Sequence, residues 1–372
     1  NVPPLRFPEF TEEWREYAIG NVLSIGNGRD YKHLHNGDIP VFGTGGYMTS
    51  VDDFLYDGES VFIGRKGTIN KPLYYNGKFW TVDTLFYTHS FVNVLPKFAY
   101  CLFQTINWLK YNEASGVPSL SKATIEKIKV RVPSMDEQGK LSNQLFLLDK
   151  RIEVQNKIIE KYESLIQAMC DTLIESEQHK IELAFSDFGK SYFGLSGKNA
   201  EDFGEGCPYI TYMNVYQNQI IDTTNVGLVK INETEQQSVV HYGDILFTLS
   251  SETAEEVGMG AVYLGDTYPL YLNSFCFGIH IIDENKIFPP FLAFYVSTKS
   301  FRKVVFPLAQ GSTRFNLQKN DFMKKVFSFP TVERQRKIYS ALKTYSDKLF
   351  VEKSIAKLLC EQKNHLLSQL FI

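Results

Sequence analysis

Basic side chains in glycine-rich stretches are the chemistry this sequence offers most openly. Arg29, Lys32, Arg65, Lys66 and Lys71 stand in the first 133 residues, and Lys190, Lys198 and Arg314 follow after residue 180. Loop Lys and Arg neutralise phosphates, and the two-pronged guanidinium matches the acceptor pair of guanine. Thr44 and Tyr47, then Tyr212 and Asn214, follow two proline-containing strand-like runs and add hydrogen-bonding groups. Ser250 occupies the place in the second set that Arg65-Lys66 holds in the first. For any one of these the alternative is a solvated charge or a turn-forming side chain. The acidic cluster Glu252, Glu255 and Glu256 could accept from cytosine amino groups, but it is expected to face away from a polyanion.

Signatures of catalysis are missing. Amino-methyl transfer to a base needs an Asn/Asp-Pro-Pro-Tyr/Phe loop, whereas the two Pro-Pro pairs here read Pro3-Pro4-Leu5 and Phe288-Pro289-Pro290. No Gly-x4-Gly-Lys-Ser/Thr loop exists to hold a nucleotide's phosphates. Gly26-Asn27-Gly28 and Gly43-Thr44-Gly45-Gly46 read as tight turns. The five cysteines are widely spaced and the seven histidines have no metal-ligand spacing, so neither a disulfide framework nor a metal site is expected, and a cytoplasmic setting is. No apolar run reaches membrane-spanning length. The net charge of −3 does not announce a nucleic-acid partner, so any such role must rest on local patches.

Two long helices must position whatever the loops do. From Met135 to about Ile174, residues Leu141, Leu145, Leu148, Ile152, Gln155, Ile159, Tyr162, Ile166, Met169 and Leu173 recur at alternating spacings of three and four. That is the seam of a coiled coil, broken only by Gln155. The same seam returns 197 residues later as Ile338, Leu342, Tyr345, Leu349, Glu352, Ala356, Leu359, Lys363, Leu366 and Leu370, with polar Glu352 in register with Gln155. Intramolecular, antiparallel pairing is expected, although homodimerisation would use the same stripe. A second row, Val154 and Ile158 with Val351 and Ile355, leaves apolar surface for a partner.

The stretches before each helix share landmarks in the same order. Tyr17–Val22 matches Leu183–Phe188, Ile39–Phe42 matches Cys207–Ile210, Gly58–Ile63 matches Gly243–Thr248, and Asp83–Tyr87 matches Asn273–Phe277. A Pro is followed five residues on by Gln and seven on by Lys at Pro133 and again at Pro330. Short β-type runs are expected, with turns at Asn36-Gly37, Asp57-Gly58 and Asn76-Gly77, a helix over Pro96–Tyr111 and a short one after Ser121. The expected organisation is a first domain at 1–133 with an extended arm at 1–13, a central helix at 134–180, a second domain at 181–330 and a terminal helix at 331–372. The fold class is α+β: two tandem α/β domains separated by two long helices packed as an antiparallel coiled coil with a pseudo-twofold axis.

In its Trp14…Tyr17-Ala18-Ile19-Gly20 opening, its Tyr56-Asp57-Gly58-Glu59…Gly64-Arg65-Lys66-Gly67 block with the counterpart Tyr242-Gly243-Asp244…Ser250, and its Pro…Gln-x-Lys helix starts, the chain resembles the specificity (S) subunit of a type I restriction–modification system. The resemblance runs from about Trp14 to Phe371. It implies two target-recognition domains, each reading one half of a bipartite site on double-stranded DNA, and a helical spacer between them. Partners implied are two methyltransferase (M) subunits carrying S-adenosylmethionine and two restriction (R) subunits using ATP and Mg, with no cofactor or catalytic residue on this chain. The rival is a coiled-coil scaffold that binds no DNA.

Overall fold

The computed structural model describes residues 2–372. The chain divides into two compact units, Asn1–Lys157 with Lys353–Ile372, and Ile158–Glu352. Each unit contains a mixed α/β domain and part of both long helices, which span Met135–Glu175 and Val332–Leu370.

In the first unit a six-stranded sheet runs in the order Ser24–Asn27, Leu85–His89, Tyr56–Gly64, Leu73–Thr81, Asn36–Gly43, Gly46–Val51. Asp57-Gly58 and Asn76-Gly77 are not turns, as their dipeptide chemistry suggests, but face each other inside paired strands, Gly58 opposite Gly77. Both glycines have positive φ, and the rings of Tyr56 and Tyr75 lie against their faces. Asn36-Gly37 likewise opens a strand. The helix expected over Pro96–Tyr111 ends at Thr105, and a separate 3-10 turn covers Trp108–Tyr111. The break is held by the buried Trp108 indole, which donates to the Phe103 carbonyl at 2.8 Å. Ser121 caps the short Lys122–Lys127 helix through the Thr124 amide.

The second unit repeats the frame. Gly189–Phe193, Cys276–Ile281, Ile245–Thr248 and Gly260–Val262 form its main sheet. Phe62 lies opposite Tyr87 and Ile63 opposite Phe86; their sequence matches repeat this register, Phe247 opposite Phe277 and Thr248 opposite Cys276. Parallel pairing recurs too, Val41 with Trp80 and Tyr209 with Tyr271. Arg15–Ala18 pairs with Lys129–Val132, and Lys180–Ala184 with Val326–Pro330.

Within each unit the helix segments run antiparallel. Leu141 and Leu145 share a core with Leu367, Leu370 and Phe371, and Asp149 pairs with Lys363 at 2.5 Å. In the second unit Ile166, Cys170 and Ile174 share a core with Ile338 and Leu342, and Glu177 meets Arg334 at 2.6 Å. Seam positions Leu148, Gln155, Glu352 and Leu359 are buried, while Ile152, Ile159, Leu349 and Leu366 are half-buried. Tyr345 is exposed, so the seam read from spacing is wider than the strip that is covered there. The second core is centred on Phe185, which contacts six phenylalanine rings, among them Phe322 stacked at 5.1 Å and Phe327 edge-on at 5.3 Å.

Candidate nucleic-acid interface

In the first unit three of the five basic candidates, Arg29, Arg65 and Lys66, gather around the turn Thr81–Thr84. Gly28 presses against it so closely that a Cβ would lie 1.9 Å from the Val82 carbonyl, so no side chain fits there. Arg29 follows, its amide donating to the Thr81 carbonyl at 2.8 Å and its carbonyl accepting from the Trp80 indole at 2.8 Å. On the other side the Arg65 amide donates to the Thr84 carbonyl at 2.8 Å, and its guanidinium reaches the Asp83 carbonyl and overlies the Phe86 ring. Lys66 is exposed beside it, with Gly67 at positive φ tied to the Pro118 carbonyl. Thr44 flanks Gly67, at 3.8 Å from where its Cβ would stand.

Backbone hydrogen bonds therefore hold three candidates, Arg29, Arg65 and Lys66, about one turn, and Thr44 lies beside Gly67. Beneath them Thr81 is fully buried, and its hydroxyl is the one buried side-chain polar atom among the described residues without a partner. Tyr47, Lys32 and Lys71 are exposed; Tyr47 bonds Ser50 at 3.1 Å.

The second unit keeps this frame and changes its side chains. Gly194 approaches Asn273 as Gly28 approaches Val82, with a Cβ placed 2.0 Å from the carbonyl. The next residue is Leu195 in place of Arg29, buried, its amide donating to Leu272 at 2.7 Å. Ser250 and Ser251 replace Arg65 and Lys66; Ser251 pairs with Phe315 as Lys66 bridges to Ser119.

What stands at this place is a cavity of about 400 Å³ lined by Tyr212, Met213, Tyr216, Ser250, Ser251, Glu252, Glu256, Phe275 and Arg314. Three sequence candidates, Tyr212, Ser250 and Arg314, thus come together. Thr211 caps the Tyr212–Gln217 helix, and the i,i+4 spacing stacks the Tyr212 and Tyr216 rings at 5.9 Å and 16°. Tyr212 donates to the Ser250 carbonyl at 2.7 Å and Tyr216 to the Glu256 carboxylate at 2.6 Å. Burial raises the Tyr212 pKa and the bond to Glu256 raises that of Tyr216, so both stay protonated donors.

Other expectations need correction. Asn214 is buried, its amide group committed to Asp222 (2.8 Å to the carbonyl, 3.0 Å from the amide) and to the Asn225 carbonyl at 2.7 Å, so it shapes the loop and cannot reach a groove. The Lys198 ammonium is buried against Glu235 at 2.5 Å. Lys190 is exposed but sits on the Gly189–Phe193 strand, opposite His280. The acidic cluster does not turn away: Glu252 and Glu256 line the same cavity as Arg314. Tyr216 and Phe275 were not singled out by sequence; the tyrosine spacing after a Thr cap was the available signal.

Residues 11–164 and 194–359 each match the family model described as type I restriction modification DNA specificity domain. The chain belongs to this type I specificity family. Within it, residues making up 42% of this chain are 23% identical to the Escherichia coli type I restriction enzyme EcoprrI specificity subunit over 167 residues, spanning 40% of that relative. The fold matches the crystal structure of the type I restriction–modification S subunit from M. genitalium, with a TM-score of 0.65 at 16% identity over 100% of this chain and 99% of the other. A second solved chain, from work on complex assembly and conformational transition of the type I R-M system, matches at a TM-score of 0.52 and 12% identity over 98% of both. A specificity-family chain of this kind also has, among its described residues, no helix long and apolar enough to cross a membrane.

Proposed function

We propose that this chain is the DNA-reading subunit of a type I restriction–modification complex and performs no chemistry itself. Each unit reads one half of a bipartite duplex site. The observation that carries this is the shared frame with exchanged side chains: Arg29, Arg65 and Lys66 around one turn, and Leu195, Ser250 and Ser251 at the matched positions, beside a tyrosine- and Arg314-lined cavity. Two domains built to one register but differing at this turn suit two unlike half-sites. Basic loop residues set position on phosphates, and the cavity's Arg, Tyr and carboxylate groups offer the donors and acceptors that distinguish base pairs.

The long helices set the distance between half-sites in this reading, with Gln155 and Glu352 as polar register markers in an apolar seam. Val154 and Val351 are each 48% exposed, and Ile158 and Ile355 are half-buried. These residues, with exposed Leu147 and Leu358, would dock two methyltransferase subunits. S-adenosylmethionine belongs on those subunits, and ATP and Mg on two restriction subunits, in the cytoplasm. Because the target atom of a stacked adenine is out of reach, the M subunits must flip it out of the helix.

Mapping of adenine methylation in cells with and without this gene and its methyltransferase partner tests the proposal. Appearance of a two-part methylated motif supports it. An unchanged methylome, with the helices still binding a partner, would favour the scaffold without DNA.

A further inference from the structure

His241, Asp244 and His280 come together in the second unit although the two histidines are 39 positions apart. One ligand atom of each lies within 4.8 Å of the other two. Asp244, wholly buried, sits in the turn that enters the Ile245–Thr248 strand, and His280 is on the neighbouring Cys276–Ile281 strand. Asp244 Oδ2 accepts from the Tyr192 hydroxyl at 2.6 Å and from the His241 amide at 3.0 Å, which fixes the carboxylate. Its Oδ1 faces only the His280 Nδ1, at 2.5 Å. The His241 ring packs on that of His280 with centroids 4.6 Å apart, and among the described residues neither of its ring nitrogens has a hydrogen-bond partner.

We propose that these three residues form a site for a divalent transition-metal ion, Zn2+ in the first instance. Two imidazoles and a carboxylate are the donor set that zinc accepts with a water completing four-coordination. The ion would replace the hydrogen bond between His280 Nδ1 and Asp244 Oδ1, with the neutral imidazole keeping its one proton on Nε2 while Nδ1 ligates. Bonds of about 2.0–2.2 Å set tetrahedral donors roughly 3.4 Å apart, so His280 Nδ1 and Asp244 Oδ1 must open from 2.5 Å while the exposed His241 ring rotates in. Tyr192 then acts as the group that orients the ligating carboxylate.

Position argues for a structural ion. The triad is at the start of the Ile245–Thr248 strand and Ser250 lies two residues past its far end, roughly 20 Å along an extended chain at about 3.3 Å per residue. A bound ion would pin three neighbouring chain segments, those of Tyr192, Asp244 and His280, at the edge of the sheet away from the cavity. In the first unit the matched positions are Tyr56, Glu59 and Ser90, so the site belongs to the second unit alone. The inference is independent of the DNA-reading function.

The test uses the full chain without a histidine tag, stripped by chelator and dialysed against micromolar ZnCl2. Bound zinc is measured by elemental analysis and thermal unfolding is followed with and without the ion. His241→Ala removes a ligand whose ring makes no hydrogen bond and spares the Tyr192–Asp244–His280 bonds; the double variant His33→Ala/His35→Ala controls for surface histidines. Wild type and control should retain one zinc more than His241→Ala and should melt higher with zinc, a shift that His241→Ala loses. Tyr192→Phe should weaken binding by roughly 10–100-fold. Equal zinc content and equal melting shift in wild type and His241→Ala, or no zinc retained by wild type, would overturn the site.

Discussion

Gln335 repeats two of the bonds that Gln138 makes. The Gln138 side chain accepts from the Leu95 amide at 2.8 Å and donates to the Pro133 carbonyl at 3.0 Å; Gln335 accepts from the Phe288 amide at 2.7 Å and donates to the Pro330 carbonyl at 2.8 Å. Leu95 and Phe288 are the N-caps of helices that both open on proline, and neither cap has a side chain able to satisfy a helix-end group. One buried amide thus joins a domain helix to the root of a long helix, in each unit. Replacing either Gln by Ala leaves a buried donor and acceptor without partners, and should cost about 2–3 kcal/mol. Gln→Glu keeps the acceptor but turns a carboxylate oxygen toward the Pro carbonyl at a wholly buried site, so it should cost at least as much. Urea unfolding curves measure both.

Arg65→Ala and Arg314→Ala should act on different halves of the recognised site. Each should relax selectivity at its own half-site by about 1–3 kcal/mol and leave the other unchanged. Sequencing of methylated or bound fragments from random pools reads this directly. Both variants relaxing the same half would contradict the assignment of one half to each unit. Asn214→Ala should instead lower stability, since its amide holds the Asp222–Asn225 loop.

Lengthening the spacer is a separate handle. Four residues inserted beside Gln155 add about 6 Å of helix. The DNA-reading function predicts a changed spacer between unchanged half-sites in the methylation motif; a shift in the half-sites themselves would argue against a metric role for the helix.

The cysteines report packing. Cys101, Cys170 and Cys276 are buried, Cys207 is half-buried and Cys360 is exposed. Burial pushes the Cys101 and Cys170 thiols up to about 12 and raises that of Cys276 as well. At pH 8 a thiol of that kind is ionised in only about one molecule in 10⁴, and thiolate is the reactive form. Iodoacetamide followed by mass spectrometry should label Cys360 first, Cys207 slowly, and the other three only after unfolding.

Phe185→Ala removes the ring at the centre of the second unit's aromatic core and should cost about 3–5 kcal/mol, measured as a fall in that unit's unfolding midpoint.

Much of this frame was legible because it rests on local chemistry. The long helix starts at Met135, and the Ser121 cap works as its residue type suggests. Matched landmarks identified strands that turn out to share register, because the period of two along a strand allows no slip without turning its core residues outward. Side-chain use was harder to read. Nothing in the one-letter pattern distinguishes Asn214, consumed by its own loop, from Tyr212, presented in a cavity two residues away. Lys198 looked like any loop lysine until Glu235 was brought against it by the fold. Asn76-Gly77 has hairpin-turn chemistry, yet cross-strand packing with Gly58 places it inside a strand. The His241–His280 pairing depends on strand neighbours and has no sequence period at all.

The first unit is assembled from two separate stretches, Asn1–Lys157 and Lys353–Ile372. Its N-terminal arm donates from the Leu5 amide to the Gln369 carbonyl at 3.0 Å, Arg6 pairs with the buried Glu137 at 2.7 Å, and the Phe371 ring meets Trp14 and Phe98. The second unit is contiguous. On the ribosome the order of completion is therefore the reverse of the order of synthesis: the first unit waits for Lys353–Ile372, with Trp14 and Phe98 lacking their cover until Phe371 emerges. A message truncated after Glu352 would release a chain whose second domain has all its parts and whose first remains open, a form that quality-control proteases would meet through that exposed aromatic face.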